Sequence, residues 1–278
     1  MSEPRILTRG IVFGESPRWH DGGLWFSDWG AGRVIALDAD GGQETIARVD
    51  SFPMCIDFRP DGALLVVDSA HRRLLRRDDD GSMRRYADLS AISDKPWNDI
   101  VVDPRGNTYV NSIGFDFPGG EFAPGLIVVV GPDGGVRRVA DDLAFPNGMA
   151  VTADGATLIV AESYAERLTA YRITEDGGLA DRRVWAETPG DHPDGICVDA
   201  EGLVWYADVG NRHCVRVAEG GAIAQRVAFD RGAFACALDR SEDPHLYVVG
   251  QNWGGDETEE PSGVVAVFPA PAPGAGRP

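Results

Sequence analysis

GESPRWHDGGLWFSD, residues 14–28, reads as a short strand, a DGG turn and a second strand that closes on Asp28. Glu15 sits near the head of the first strand, where a buried carboxylate is out of place unless something holds it. The same arrangement returns as PMCIDFRPDGALLVVDS (53–69), WNDIVVDPRGNTYVNS (97–112), PNGMAVTADGATLIVAES (146–163), PDGICVDAEGLVWYADV (193–209) and ACALDRSEDPHLYVVGQ (235–251). After most copies comes a third apolar run, such as RVIALDADG or RLTAYRITEDG, and then a fourth, such as QETIARV or DRRVWAE. The spacing of about 40 to 49 residues, with four short strands per unit, is that of a propeller blade. Six copies predict an all-β, six-bladed β-propeller. The sixth copy runs out after three strands, while PRILTRG near the amino terminus is a strand without a unit. That strand is expected to complete the last blade and close the ring, leaving no open sheet edge.

Composition agrees with this reading. The 278 residues include 35 Gly and 18 Pro, a turn-rich mix, and the apolar fraction of 43% suits a globular domain. One domain over 1–268 is expected, followed by a Pro/Gly/Ala-rich tail, 269–278, whose lack of an apolar pattern predicts mobility. The 44 acidic and 26 basic residues give a net charge of -18, which disfavours nucleic acid and anionic membranes as partners and favours cations. No run approaches the roughly 18 apolar residues of a membrane span. The amino terminus lacks a basic-then-apolar leader, so a cytoplasmic protein is expected, a monomer or weak homo-oligomer. Cys55, Cys197, Cys214 and Cys236 show no metal-type spacing and read as reduced core fillers.

Aligning the six units on their first strands places Glu15, Met54, Asn98, Asn147, Asp194 and Ala235 at one register. First strands line the central channel of a propeller, so these side chains should converge at one mouth. The second strands return there, ending on Asp28, Asp68, Asn111, Glu162, Asp208 and Gly250. So many acids beside a low-dielectric channel need protons or a cation, and no basic residue stands at the six first-strand positions. Glu15, Asn147 and Asp194, with Asn98 as a further candidate, offer only oxygen donors. That set suits Ca²⁺, leaves Mg²⁺, Mn²⁺ and Zn²⁺ as alternatives, and argues against a dedicated zinc site. Three or four protein ligands leave coordination positions for water and substrate.

GESPRW (14–19), WNDIVVDPRGNTYV (97–110), FPNGMAVTADG (145–155) and PDGICVDAEGLVWYAD (193–208), in this order on six repeats, carry a resemblance. The chain resembles the SMP-30/gluconolactonase/luciferin-regenerating-enzyme family of calcium-dependent six-bladed propellers over essentially its full length. The resemblance implies that Glu15, Asn147 and Asp194 bind the metal, that Asn98 contacts substrate or adds a fourth ligand, and that Asp194 is the base or nucleophile. Sugar-lactonase members often place Arg two residues before the position of Asn98. Pro96 stands here instead, which leaves the substrate open.

The reaction expected from this set is hydrolysis of a small lactone, a sugar-acid lactone first. The metal would polarise the carbonyl and Asp194 would take a proton from water. The alternatives are a phosphotriester or fluorophosphate hydrolase on the same site, or a propeller that only binds. His192 is a candidate proton shuttle or substrate contact, and Trp29, Trp97 and Phe115 are candidate pocket walls. The insertion 113–125 is a candidate lid or specificity loop carrying Asp116 and Glu121, both candidate substrate contacts. Ser16 and Ser112 show no accompanying His–Asp arrangement, so no serine-hydrolase chemistry is read.

Overall fold

Each repeat folds as a four-stranded antiparallel sheet, and six such sheets stand around a central channel in a computed structural model that describes residues 4–38, 40–253 and 260–277. The innermost strands are Gly14–His20, Ile56–Phe58, Trp97–Val102, Pro146–Val151, Pro193–Val198 and Gly232–Leu238. They define blades 1 to 6, numbered along the chain. DG-type turns join the strands, and the glycines of these turns, Gly62, Gly106 and Gly155 among them, adopt positive φ. Alternate side chains of neighbouring sheets pack into the gaps between blades, as Trp205 and Cys197 of blade 5 do against Val248 and Phe268 of blade 6.

The ring closes as expected. Arg5–Ile11 pairs antiparallel with Gly263–Pro269, so the sixth sheet is built from both ends of the chain. No helix among the described residues is long and apolar enough to cross a membrane.

The tail departs from expectation. Residues 270–277 do not leave the domain but cross the channel end opposite Glu15. Gly274 N donates to Asp239 O at 2.7 Å and Ala275 N to Val198 O at 3.2 Å. Arg277 exchanges both backbone hydrogen bonds with Val151, and its guanidinium reaches Phe58 O at 3.1 Å. One segment thereby ties blades 6, 5, 4 and 2. Expecting mobility from the absence of an apolar pattern failed because this contact is made by backbone. The ends of the inner strands carry unpaired N–H and C=O groups, and small residues fit the narrow opening: a Cβ on Gly276 would stand 2.5 Å from Val151 O. Deleting 270–278 is expected to lower stability by about 2–4 kcal/mol, or the melting temperature by about 5–10 °C. An unchanged thermal melt would mean the latch is dispensable.

Candidate functional site

The inner strands are not regular where the expected ligands lie. In blades 3, 4 and 5 the pairing slips between Trp97 and Ile100, between Pro146 and Met149, and between Pro193 and Ile196. Each slip is a β-bulge, two residues facing one on the neighbouring strand, and the extra pairs are Asn98-Asp99, Asn147-Gly148 and Asp194-Gly195. In blade 1 the bulge follows Glu15 directly, with Ser16 at φ 53. A bulge re-aims side chains and sharpens local twist. Here it delivers two successive residues to the channel. Gly148 and Gly195 are required by the crowding this creates: a Cβ on Gly195 would meet Ala235 Cβ at 2.3 Å, and one on Gly148 would meet Asp194 O at 2.5 Å.

Glu15, Asn98 and Asn147 line one narrow pocket together with Asp99, Arg18, Cys55 and Cys236. Asn98 Nδ2 donates to Asn147 Oδ1 at 3.1 Å, and Asn147 Nδ2 donates to Ser163 Oγ at 3.3 Å. Asn111 accepts from Asp99 N at 3.0 Å and donates to Asn147 O at 2.7 Å, fixing both bulges. Asp194 is half-buried and is not itself among the lining residues, although its neighbour Gly195 is and its backbone oxygen packs against Gly148. Burial pushes the Glu15 carboxyl up to about 8, with Asp99 adding to it. Burial raises Asp194 well above the ordinary carboxylate range as well, and the charges of Glu15, Asp99 and Asp208 add to it. Among the described residues neither forms an ion pair.

The second-strand carboxylates stand behind this cluster at the same end of the channel and are held by partners of their own. Asp28 accepts from Phe13 N at 3.0 Å, Glu162 from Ala144 N at 2.8 Å and Asp208 from His192 N at 2.7 Å. Each thus grips the loop just before a candidate ligand. Asp28, Asp68 and Glu162 pair with Arg33, Arg73 and Arg167 at the start of the third strand. The blade 5 counterpart of these arginines is His213, whose Nε2 lies 3.1 Å from Asp191 Oδ2 with Asp208 alongside. Asn211 Nδ2 spans Asp191 and Asp208, and Tyr206 OH donates to Asp191 at 2.7 Å. This cluster therefore braces blade 5 through its own hydrogen bonds.

Three channel residues, Arg18, Asp57 and Asp99, were missed by sequence reasoning. Arg18, buried one layer below Glu15, donates to Asp99 Oδ1 at 3.2 Å and to Ile100 O at 2.7 Å, and stands 3.7 Å from Asp57 Oδ1. Asp99 and Asp57 in turn accept Met149 N and Val102 N from the next blades. Burial raises both carboxyls, and Arg18 opposes that. The absence of basic residues at the first-strand starts said nothing of position 18, three residues further in. Arg18→Met is expected to cost about 3–5 kcal/mol by leaving two buried acids without their cation. A loss below about 1 kcal/mol in urea unfolding would contradict that assignment.

The remaining expected residues lie at the rim or in the core. His192 is exposed, its Nε2 4.0 Å from Glu166, and Glu121 is exposed on the insertion. Lys95 pairs with Asp116 at 3.0 Å. Trp97 is fully buried between blades and walls no pocket. Trp29 and Phe115 instead belong to two aromatic clusters at the mouth. Phe13 stacks on Trp29 at 5.3 Å and meets Phe52, Phe234 and Trp253. Phe145 packs on Tyr164 at 4.8 Å and on Phe117 at 5.0 Å, with Phe115 and Phe122 beside them. All four cysteines are free and buried, as expected.

The fold and this mouth define a class: closed propellers that gather oxygen-bearing side chains from separate blades at one end of the channel. Residues 13–251 match the model of the SMP-30/Gluconolactonase/LRE-like region, and the chain belongs to that family. It is 29% identical to a pentonolactonase of Haloferax volcanii over 215 residues, covering 74% of this chain and 70% of that protein. It is 28% identical to the diisopropyl-fluorophosphatase of Loligo vulgaris over 209 residues, covering 66% and 65%. A gluconolactonase structure from Xanthomonas campestris superposes with a TM-score of 0.78 at 24% identity, covering 96% of this chain and 89% of that one.

Proposed function

We propose that this protein hydrolyses small lactones with the help of one divalent cation, Ca²⁺ in first place, held by Glu15, Asn147 and Asp194 with Asn98 adjoining. One observation carries the reading. Two carboxylates, buried Glu15 beside the Asn98–Asn147 amide pair and half-buried Asp194, repel each other, are both driven toward protonation by loss of solvent, and form no ion pair among the described residues. A cation would relieve both, and an all-oxygen donor set fits a hard ion. The relatives named as lactonases support the reaction class.

Held by Glu15, Asn147 and Asp194, the ion would supply positive charge that polarises the lactone carbonyl. Asp194 accepts the proton of the attacking water and returns it as the ring ester bond breaks, yielding the hydroxy acid. Asn98 and Asn147, cross-linked by their amides, hold the electrophile's position. Asp99 and Arg18 fix the floor. Burial raises the basicity of Asp194 while a neighbouring cation lowers it, leaving a weak base suited to an activated cyclic ester rather than an amide.

The test is a pH-stat assay of metal-stripped protein titrated with Ca²⁺, using D-glucono-1,5-lactone first and an aryl phosphotriester in parallel. Calcium-dependent lactone opening is expected. Turnover of the phosphotriester alone, or of neither compound or any other lactone, would refute the proposal.

A further inference from the structure

Resting on the lactonase reading, we infer that the preferred substrate is a neutral lactone with an apolar, aromatic or alkyl substituent, taken up between two aromatic walls. The walls are continuous with the candidate site. Phe13 lies two residues before Glu15, Phe145 two before Asn147, and Phe234 directly before Ala235 of the same pocket. Ser27 links one wall to the site, donating to Glu15 O at 3.0 Å and accepting the Trp29 indole at 3.1 Å. Ser163 does so on the other side, between Tyr164 and the Asn147 amide.

The walls stand on opposite sides of the ring. One belongs to blades 6, 1 and 2, the other to blades 3 and 4, and blades 1 and 4 are opposite in a ring of six. The five large aromatic residues exposed on the described surface are Phe52, Phe117, Phe122, Tyr164 and Trp253, and all five belong to these two clusters. Folding alone does not explain rings left in water at one place, whereas a ligand that covers them would.

A polyhydroxy lactone would need hydrogen-bond partners for each hydroxyl it carries out of water. Three of the polar groups beside the walls already have partners: Lys95 with Asp116, Ser93 with Ser112, the Trp29 indole with Ser27. An apolar substituent needs none of them and removes exposed ring surface from water. The acidic rim, with Glu121 exposed and Glu166 half-exposed, disfavours anionic lactones.

The experiment compares kcat/KM for dihydrocoumarin and D-glucono-1,5-lactone with saturating Ca²⁺, in wild type and in Phe122→Ala and Tyr164→Ala. Opening of dihydrocoumarin consumes one water, breaks the aryl ester bond and releases one proton from the new carboxylic acid, which the pH-stat reads. The inference expects wild type to favour dihydrocoumarin by about tenfold or more. It also expects each variant to raise KM for dihydrocoumarin several-fold, at unchanged melting temperature because both side chains are half exposed. Equal or better efficiency on the gluconolactone, or a dihydrocoumarin KM that neither variant moves, overturns the inference and leaves the lactonase reading standing. Absence of turnover on both compounds overturns that reading and the inference with it.

Discussion

Asp194→Asn is expected to lower kcat/KM on lactones by about 10²–10⁴-fold while raising the melting temperature of the metal-free protein. The two effects have one cause. Without a cation Asp194 is a half-buried acid repelled by Glu15, Asp99 and Asp208, and an amide of the same shape removes part of that repulsion. The substitution also removes the proton acceptor and one charged ligand, so calcium should stabilise the variant less than wild type. A purely structural Asp194 would behave otherwise: its loss would destabilise the metal-free protein and spare turnover. Assays and thermal melts with and without EDTA separate the two cases.

In EDTA, stability is expected to fall as pH rises from about 5 to 8, and saturating Ca²⁺ is expected to abolish that fall. Glu15 carries a folded-state value of about 8 against 4.5 when unfolded. Between these values the folded chain holds a proton that the unfolded chain has lost, so the stabilisation present below 4.5 drains away through 8. The slope is about 1.4 kcal/mol per pH unit for one such carboxylate. Asp194, shifted the same way, adds to it. A bound cation keeps both groups deprotonated in the folded state and so removes the dependence. Chemical unfolding at pH 5, 6, 7 and 8, with and without calcium, reads this directly. A metal-free stability that is flat or rises over the window contradicts the assignment of Glu15.

Much of this molecule was legible before any coordinates. The repeat of strand, DG turn and strand determined the blade count, and the orphan strand PRILTRG foretold the closure. The common register also brought Glu15, Asn98 and Asn147 to one pocket. Period-two alternation could not reveal the bulges, which turn two successive residues to the channel and so bring Asp99 into view. PNG and PDG carried a signal nonetheless, because a glycine inside a strand marks a bulge or a close backbone approach.

The neutralisation of the second-strand acids had a readable signal. Asp28, Asp68 and Glu162 are each followed five residues later by Arg33, Arg73 and Arg167, a spacing that pairs them across the hairpin. Arg18 left no such trace, since its partners Asp57 and Asp99 come from other blades. The tail was misread because backbone hydrogen bonding leaves no hydropathy pattern.

The central claim is that Glu15 and Asp194 share one cation, and calorimetric titration of metal-stripped protein with Ca²⁺ tests it most directly. One ion per chain should bind with an enthalpy that varies with buffer ionisation, because binding releases protons from carboxylates that burial keeps partly protonated. Glu15→Gln should abolish most of that heat. No uptake of calcium by wild type, or equal uptake by Glu15→Gln, contradicts the account.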